Sequence, residues 1–475
     1  MDYGVLIQQP EFANQWKSYL PILQQESYHQ EPSKQVLMQW DSDFLSFQES
    51  RQVLNCREAK QHVENAYTMR HLLQQSGIQV ASSQQHVQRV YIVHLFQTEI
   101  LALYRQKKSK AWLQSSQFNA NKHLETIPLT SGGAELGRVK RLAIRAIYSC
   151  GLDFGMVVIG ILPERRSCVI QIDPTPPLTP LLTRNYARAF QKYIGQLKQH
   201  GRNAERLLIG ADPEFVLFSG TNQLVLASKY FPKKGQVGCD SIWLRGDSTH
   251  VKLPLAELRP LPAKEPRQLI LNLYQAMLAG IRKINNSSIK WLAGSAPLKE
   301  YPIGGHLHFS HVPCNFRLLR ALDNYLTLPL FLLEDIAAQH RRPRYGWLGD
   351  FRMKFHGGFE YRTPPSWLVT PRITKGVIAL AKVILHNYPQ LRQQPLLRVH
   401  VNDAYYQGNY RLIKPIVQEL WAELEATAEY RTYRHYLDPF KELIDSEYRW
   451  DEKEDIRPAW KLPPFHKQKT RLNRR

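Results

Sequence analysis

The sequence predicts an α+β protein. Apolar runs with strand-like alternation are interspersed with segments of helical spacing along the chain. Four polar pairs at i,i+2 spacing also stand in short apolar stretches, and on a β-strand both members of such a pair project from the same face. We therefore predict that the four stretches are strands of one sheet. The pairs are Asp212/Glu214, Glu257/Arg259, His306/His308 and Glu360/Arg362.

Together the four pairs would line a concave wall with carboxylates, imidazoles and guanidinium groups. Carboxylate oxygens are the natural ligands of Mg²⁺ and Mn²⁺, and such a cation can hold nucleotide phosphates. Each pair alone has an ordinary explanation, such as the solvent face of a strand or a surface salt bridge. Four pairs within about 150 residues are harder to explain in that way. We therefore expect an enzyme that uses ATP.

Length and composition agree with this expectation. The chain has 475 residues, more than one core usually holds, and its 43% hydrophobic content is ample for two or three domains. The net charge of +22 would favour a polyanion, a membrane surface or an acidic small molecule as partner. A solvated basic surface is the simpler explanation of this charge.

Targeting and redox features favour a cytoplasmic location. The five cysteines lie far apart with no CxxC, which argues against a disulfide framework and a zinc site. The N-terminal residues have no apolar signal region, and no run of about 18 uncharged apolar residues occurs. We expect no membrane association. Nucleic acid is not an expected partner, because only the charge would support it.

Residues 1–200 are predicted to form an α/β domain. Asn55 and Glu58 have the spacing of an N-cap and its capping-box partner, and Gly77 would end the helix that they begin. Further along the chain, strand-like runs alternate with helical spacing. The strand-like runs are 90–103 and 156–172, and the helical segments are 139–148 and 186–197.

Four strings in this region resemble fragments of an ATP-grasp domain in their usual order: LNCREAKQHVENAYTMRHLLQQSGI, RVYIVHLF, RLAIRAIYSCGLDFGMVVIG and VIQIDPTPPL. At the places where ATP-grasp enzymes carry metal-binding oxygens, this chain has Val158, Gln171 and Asp173. Of these three, only Asp173 could bind a metal as an anion. The resemblance therefore implies a degenerate ATP-grasp-like module that serves as a scaffold or substrate platform. An ordinary α/β domain without a ligand is the alternative.

Double glycines precede two of the four polar pairs. Gly304 and Gly305 stand directly before His306, and a second double glycine precedes Glu360. Glycine allows the backbone to approach a ligand closely. A single histidine is more often structural, but two at i,i+2 after a double glycine favour contact with a ligand or a phosphate.

A helical run at 316–338, divided by Pro329, and an arginine-rich segment separate the last two pairs. The segment RRPRYGWLGDFR contains two glycines among its arginines. We expect a basic loop that closes over the site and contacts phosphates, with a solvated loop as the alternative. The arginines of this segment are Arg341, Arg342, Arg344 and Arg352.

The motifs GADPE, ELRP, GGHLH and EYRTP resemble, in type and order, the signature set of the amidoligase family, the phage-type carboxylate-amine ligases related to glutamine synthetase and glutamate-cysteine ligase. The resemblance covers 206–369. It implies a curved antiparallel sheet of the glutamine synthetase type with outer helices, in a catalytic domain at 201–400. Residues 401–475 are predicted to form a helical extension that ends in a basic tail.

The same resemblance implies a reaction and its cofactors. ATP would phosphorylate a carboxylate, and an amine would then displace phosphate and leave an amide or peptide bond. The predicted ligands of Mg²⁺ or Mn²⁺ are Glu214, Glu257, His306 and Glu360, with Asp212 in support.

Catalytic and nucleotide-binding roles follow from the resemblance and from the chemistry of phosphoryl transfer. Arg362 would contact the transferred phosphoryl group, and Arg259 is a further catalytic candidate. His308 would bind the substrate carboxylate, or Asp212 would take a proton from the amine, and the sequence leaves both open. The nucleotide is expected at Arg341, Arg342, Arg352, Gly304 and Gly305.

The expected substrates are small-molecule or peptide carboxylates and amines. Two alternative functions remain open. One is a phosphotransferase that has the same fold and metal site but acts on a guanidino group. The other is a non-catalytic binding or assembly protein that retains the ligase fold.

Overall fold

The structure is a computed structural model of the chain, which divides into two compact units at 1–200 and 201–475. The basic residues predicted to form a tail after 465 lie outside the described residues. The structure describes residues 2–7, 14, 16–23, 35–40, 45–46, 52–82, 85–106, 124–220, 223–240, 253–284, 286–298, 301–355 and 357–465.

The first unit contains helices and two sheets. Its elements, in chain order, are β1 (Asp2–Leu6), β2 (Ile22–Leu23), β3 (Gln35–Gln39), β4 (Gln52–Leu54), α1 (Arg57–Glu64), α2 (Ala66–Gln75), β5 (Arg89–Phe96), β6 (Glu99–Gln106), β7 (Leu124–Thr126), α3 (Ala134–Ser149), β8 (Phe154–Ile161), β9 (Ser167–Asp173) and α4 (Pro180–Asn203). One sheet is parallel, in the order β2-β1-β3-β4, and the other is antiparallel, in the order β7-β6-β5-β8-β9. The mixed helix and strand content predicted here is confirmed.

The first helix begins later than the capping pattern predicted, and it is interrupted. Asn55 has a positive φ of 53°, and its side chain bonds the backbone of Asp153 and Phe154 rather than a helix terminus. The helix therefore starts after Cys56. Asn65 separates α1 from α2 and caps the second helix with its side-chain oxygen. The predicted stop at Gly77 is confirmed, since this glycine has a φ of 68°.

The second unit is built on one large sheet. Its elements are β10 (Leu208–Phe218), β11 (Leu224–Val225), β12 (Val237–Asp240), β13 (Leu255–Leu258), α5 (Pro266–Lys283), β14 (Lys290–Leu292), β15 (Gly305–Ser310), α6 (Phe316–Leu322), α7 (Leu328–Phe331), β16 (Phe351–Met353), β17 (Phe359–Tyr361), α8 (Pro371–Asn387), α9 (Val399–Gln407), α10 (Tyr410–Glu425), α11 (Ala428–Asp445) and α12 (Ile456–Ala459).

The strands of this sheet run in the order β12-β13-β10-β15-β17-β16, and β11 and β14 also pair with β10. All these pairings are antiparallel. The predicted mixture of helices and antiparallel sheet is confirmed. The sheet is not strongly curled, so the concave glutamine synthetase-type wall implied by the family resemblance is not confirmed.

The core of the second unit lies on the face of the sheet opposite the polar pairs. Leu307 and Phe309 alternate with the two histidines of β15 and are fully buried, as the alternation predicted. Phe215 of β10 stacks on Trp291 with ring centroids 4.5 Å apart, and Trp291 also lies against Gly280 of α5. Helix α8, almost entirely buried, packs on α5 and α11. Apolar packing therefore supports the polar face from behind.

The predicted division of the helical run at 316–338 occurs before its proline. Helix α6 ends at Leu322, a π-helical turn covers Asp323–Thr327, and Pro329 lies in the first turn of α7. A proline clashes with the carbonyl four residues before it and lacks an N–H, and a wider turn upstream accommodates both effects. Within the described residues, no helix is both long enough and apolar enough to cross a membrane.

Candidate active site

The four polar pairs lie on neighbouring strands or directly after them, because β13, β10, β15 and β17 follow one another across the sheet. Arg259 directly follows β13, and Arg362 directly follows β17. Alternation places both members of each pair on one face, and the register aligns the pairs with one another. The directly opposed residues are Glu214 and Glu257, Asp212 and His306, and His308 and Glu360.

Three side chains on this face converge on one point. Asp212, His308 and Glu360 each offer a ligand atom, and these atoms all lie within 4.8 Å of one another. Nε2 of His308 is 2.8 Å from Oδ2 of Asp212. Two carboxylates and an imidazole in this arrangement are a common donor set for a divalent cation.

His306 lies behind this cluster and contacts both of its carboxylates. Its Nδ1 is 3.3 Å from Oδ1 of Asp212 and 3.3 Å from Oε1 of Glu360. Its Nε2 lies 2.8 Å from the hydroxyl of Tyr345. Burial by itself would lower the pKa of His306, but Asp212 and then Glu214 outweigh burial and raise it. Both ring nitrogens of His306 are thus engaged by protein groups.

Glu360 is surrounded by cations. Oε1 lies 3.1 Å from Nε of Arg362, while Oε2 lies 2.5 Å from Nζ of Lys354 and 3.6 Å from Nη1 of Arg352. Burial favours the neutral carboxyl, but His306, Lys354 and Arg352 outweigh it and hold the pKa of Glu360 below its usual range. Glu360 is therefore an ionised carboxylate in a basic surrounding.

Glu214 and Glu257 form a second acidic pair beside the cluster. Oε2 of Glu214 accepts a hydrogen bond of 2.7 Å from the backbone N–H of Gly304, and burial raises the pKa of this carboxyl. Burial also raises the pKa of Glu257, and the negative charge of Asp212 raises it further. Nη2 of Arg259 lies 2.5 Å from Oε2 of Glu257 and opposes this effect.

The converging residues fit a divalent cation. Oδ1 of Asp212, Oε2 of Glu360 and Nε2 of His308 are buried, and their contacts with His306, Lys354 and Asp212, respectively, are not well aligned as hydrogen bonds. Such atoms are costly to bury unless a partner satisfies them. A cation bound by these three side chains would be a better-placed partner for these atoms.

Residues 209–462, slightly more than half of the chain, match the model of a protein family described as phage phiEco32-like COOH.NH2 ligase-type 2. The chain belongs to this family. The matched segment contains all four polar pairs and continues through helices α8 to α12. The resemblance to carboxylate-amine ligases inferred from the motifs is thereby confirmed.

Two solved structures show distant similarity to this ligase-family chain. The first is a bifunctional glutathione synthetase from Pasteurella multocida, with a TM-score of 0.35 and 10% identity over 56% of this chain and 54% of that one. The second is the macrocyclase MdnC from Microcystis aeruginosa MRC, bound with precursor peptide MdnA, with a TM-score of 0.22 and 9% identity over 30% of this chain and 65% of that one. The chain thus spans less than two thirds of either protein. No curated protein matches it. The degenerate ATP-grasp-like character of the first unit stays a prediction.

The structure does not place Arg341 and Arg342 on a loop over the site. Arg341 is 1% exposed, and its three guanidinium nitrogens donate to the backbone carbonyls of Ile303, Thr363 and Pro364. Arg342 is also buried, and its Nη1 bonds Glu334 at 2.7 Å. Both guanidinium groups are buried in the interior, where a nucleotide has no access. Arg352, in contrast, lies at the site beside Glu360.

The double glycine of this family member is packed closely against other residues of the protein. A Cβ added at Gly304 would lie 2.3 Å from Nε2 of His306. One added at Gly305 would lie 2.3 Å from the carbonyl oxygen of Pro365 and 2.5 Å from the Trp367 ring. The glycines are needed because His306 and the 365–367 segment pack directly onto their backbone.

Two residues at the site were not predicted. Lys354 follows Arg352 at i,i+2, so the alternation rule that selected the four pairs could have found it. Tyr345 lies in the arginine-rich segment and has no periodic signal. Its contacts with His306 and Arg362 depend on the tertiary fold alone.

Proposed function

We propose that this protein is an ATP-dependent carboxylate-amine ligase that forms an amide or peptide bond through an acyl-phosphate intermediate. One observation carries the proposal: Asp212, His308 and Glu360 converge within 4.8 Å beside three cationic side chains. Membership of a carboxylate-amine ligase family supports the same reaction class.

Asp212, His308 and Glu360 would hold Mg²⁺ or Mn²⁺. When bound, the cation would neutralise negative charge on phosphate oxygens and orient them. The sequence predicted His306 as a ligand and His308 as a substrate-binding group. The geometry favours His308 as the ligand, because His308 converges with Asp212 and Glu360, whereas the nitrogens of His306 contact Tyr345 on one side and the two carboxylates on the other.

Arg362, Arg352 and Lys354 would stabilise the transferred phosphoryl group. Their side chains are 18%, 57% and 23% exposed, so each can reach a bound substrate. Phosphoryl transfer needs little covalent help from a protein, and positioned cations that meet the negative charge account for most of the catalysis. Arg362 is the first candidate, because Glu360 and Tyr345 hold its guanidinium at the centre of the site.

The proposed reaction has two steps. An oxygen of the substrate carboxylate attacks the γ-phosphorus of ATP, so that ADP leaves and an acyl phosphate forms. The nitrogen of an amine then attacks the acyl carbon, the C–O bond to phosphate breaks, and the amine loses a proton. The products are an amide, ADP and inorganic phosphate. Holding carboxylate and amine next to each other would supply much of the rate enhancement.

Hydroxylamine trapping tests the proposal directly. The protein is incubated with ATP, Mg²⁺ and pools of small acids, amino acids and peptides, with and without hydroxylamine, and products are identified by mass. We expect phosphate release that depends on a carboxylate, an amide product, and a hydroxamate when hydroxylamine replaces the amine. A phosphorylated guanidino product without an amide would support the phosphotransferase instead. No nucleotide binding at millimolar ATP would leave only a binding role.

A matched pair of variants connects this activity to the site. Glu360→Gln keeps the shape of the side chain but removes a charge at the centre of the cluster, and it should abolish turnover. Glu419→Gln makes the same change at an exposed position of α10 and should leave turnover at the wild-type level. Near-normal activity of Glu360→Gln would remove this residue from the proposed site.

A further inference from the structure

The hydroxyl of Tyr345 contacts two site residues from different parts of the sheet, His306 on β15 and Arg362 directly after β17. It lies 2.8 Å from Nε2 of His306 and accepts a hydrogen bond of 3.3 Å from Nη2 of Arg362. The guanidinium carbon of Arg362 also lies 5.6 Å from the centre of the Tyr345 ring. Tyr345 therefore contacts both His306, which lies against the proposed cation ligands, and Arg362, which is assigned to the phosphoryl group.

The Tyr345 ring rests on Arg341, whose guanidinium carbon lies 4.9 Å from the ring centre. The carbonyls that Arg341 binds, at 303, 363 and 364, lie just before β15 and just after Arg362. A Cβ at Gly346 would lie 2.0 Å from Nη1 of Arg341, so the residue after Tyr345 has to be small. Arg341 thus connects the start of β15 with the segment after β17. It also packs against the ring of Tyr345.

The contact with Tyr345 fixes the orientation of the His306 ring. An imidazole has two ring nitrogens, and Nδ1 of His306 is shared between Asp212 and Glu360 at 3.3 Å from each. The other nitrogen has the Tyr345 hydroxyl as its partner. Because His306 is 4% exposed, loss of that hydroxyl would leave a buried polar atom unsatisfied. The ring could then rotate and release both carboxylates.

We infer that Tyr345 is a positioning residue of the ligase site, an inference that rests on the proposed function. Its hydroxyl orients His306, which in turn directs the carboxylates of Asp212 and Glu360 toward the cation. The same hydroxyl holds Arg362 beside the position of the phosphoryl group. Groups that orient metal ligands from behind typically contribute 10- to 100-fold to metal affinity or activity.

Tyr345→Phe removes only the hydroxyl and tests this inference. Mn²⁺ binding is followed by the electron paramagnetic resonance signal of the free ion, and amide formation is measured under steady-state conditions. We expect Mn²⁺ binding to weaken about 10- to 100-fold and kcat to fall by a similar factor. The KM for the carboxylate should change little, because the removed hydroxyl contacts His306 and Arg362 and not the carboxylate substrate.

Tyr406→Phe is the matched control, because the Tyr406 hydroxyl accepts a 3.2 Å hydrogen bond from the backbone N–H of Leu348 in the same segment. This variant should bind Mn²⁺ and turn over as the wild type does. If Tyr345→Phe matches the wild type in Mn²⁺ affinity, or if both variants lose affinity only in proportion to a lower Tm, the inference is overturned. A wild-type protein that binds Mn²⁺ but forms no amide would refute the proposed function, and the Mn²⁺ comparison would still decide the role of Tyr345.

Discussion

His306 and Asp212 occupy opposite positions on the neighbouring antiparallel strands β15 and β10, and Nδ1 of His306 lies 3.3 Å from Oδ1 of Asp212. Burial by itself would raise the pKa of Asp212. The adjacent imidazoles of His306 and His308 outweigh burial and hold that pKa below its usual range. A half-buried carboxylate is thereby kept ionised at the point where the polar strands meet. This charge is what a divalent cation would bind.

Asp212→Asn should disrupt cation binding more than it disrupts the fold. The amide is similar in shape, but it removes the negative charge that the two histidines stabilise. We expect Mn²⁺ affinity and the rate of amide formation to fall at least about 100-fold. This is the upper end of the loss seen when a residue that only orients a metal ligand is removed. Titration with Mn²⁺ and product analysis measure both. Asp445→Asn, at an exposed position of α11, is the control and should leave both unchanged. Wild-type Mn²⁺ affinity in Asp212→Asn would exclude this residue as a ligand.

Gly304→Ala should mainly reduce activity, whereas Gly305→Ala should mainly reduce stability. At Gly304 the new methyl group meets the tip of the His306 ring at 2.3 Å, and a side chain can move aside. We expect lost activity with a small change in Tm. At Gly305 the methyl group lies 2.3 Å from the carbonyl oxygen of Pro365, which can move only if the backbone moves. Overpacking of this kind lowers the free energy of unfolding by about 1–3 kcal/mol or more.

Thermal unfolding and amide formation of the two variants test this distinction. If both glycines instead bind the nucleotide with their backbone, as the sequence suggested, both variants would keep the wild-type Tm. Each would then show a raised KM for ATP.

The alternation of polar and apolar residues was sufficient to predict which side chains share the site face. Asp212 with Glu214, and His306 with His308, do project from one face, and the apolar Leu307 and Phe309 between and beside the histidines are buried. This succeeds because the period of a strand is a local property of the backbone. The order and register of the strands are not local, and they decide which residues converge.

Burial of charge was the main feature that local reasoning could not predict. Arg341 and Arg342 stand in a glycine-containing basic segment, which is typical of a solvated loop. In the interior, three backbone carbonyls bond the guanidinium group of Arg341 instead, and Glu334 pairs with Nη1 of Arg342. The sequence analysis named His306 as the metal ligand, whereas the structure brings His308 together with Asp212 and Glu360 and places the hydroxyl of Tyr345, which has no periodic signal, at Nε2 of His306.

Arg341→Lys should destabilise the second unit rather than weaken nucleotide binding. A single ammonium group cannot replace three guanidinium donors that point at three different carbonyls. Leaving buried acceptors unsatisfied should lower the free energy of unfolding by at least about 2 kcal/mol. Chemical denaturation measures the change. The exposed neighbour Arg344, changed to Lys, should stay within about 0.5 kcal/mol of the wild type. An unchanged stability with a raised KM for ATP would restore Arg341 to the nucleotide site.

Glu452 should make the second unit less stable as the pH rises. Its carboxyl is 3% exposed and accepts the backbone N–H groups of Ser295 and Ala296. Burial outweighs these hydrogen bonds and raises the pKa of Glu452 from 4.5 to about 7. The folded state therefore holds this proton more tightly than the unfolded state does. Its stabilising effect is complete below about pH 4.5 and is lost as the pH rises through about 7.

Denaturation of the wild type and Glu452→Gln at pH 5 and pH 8 tests this effect. The wild type should lose up to about 3 kcal/mol more of its free energy of unfolding than the variant does over this interval. Other titrating groups cancel in the comparison. An identical pH dependence of the two proteins would show that Glu452 keeps an ordinary pKa.

The central claim is that Asp212, His308 and Glu360 bind one divalent cation. Anomalous diffraction from crystals soaked in Mn²⁺ and a non-hydrolysable ATP analogue tests it most directly. We predict a manganese peak about 2.0–2.4 Å from a ligand atom of each of these three side chains, with a phosphate oxygen on the same ion. A peak at other residues, or no peak although the analogue is bound, would contradict the account.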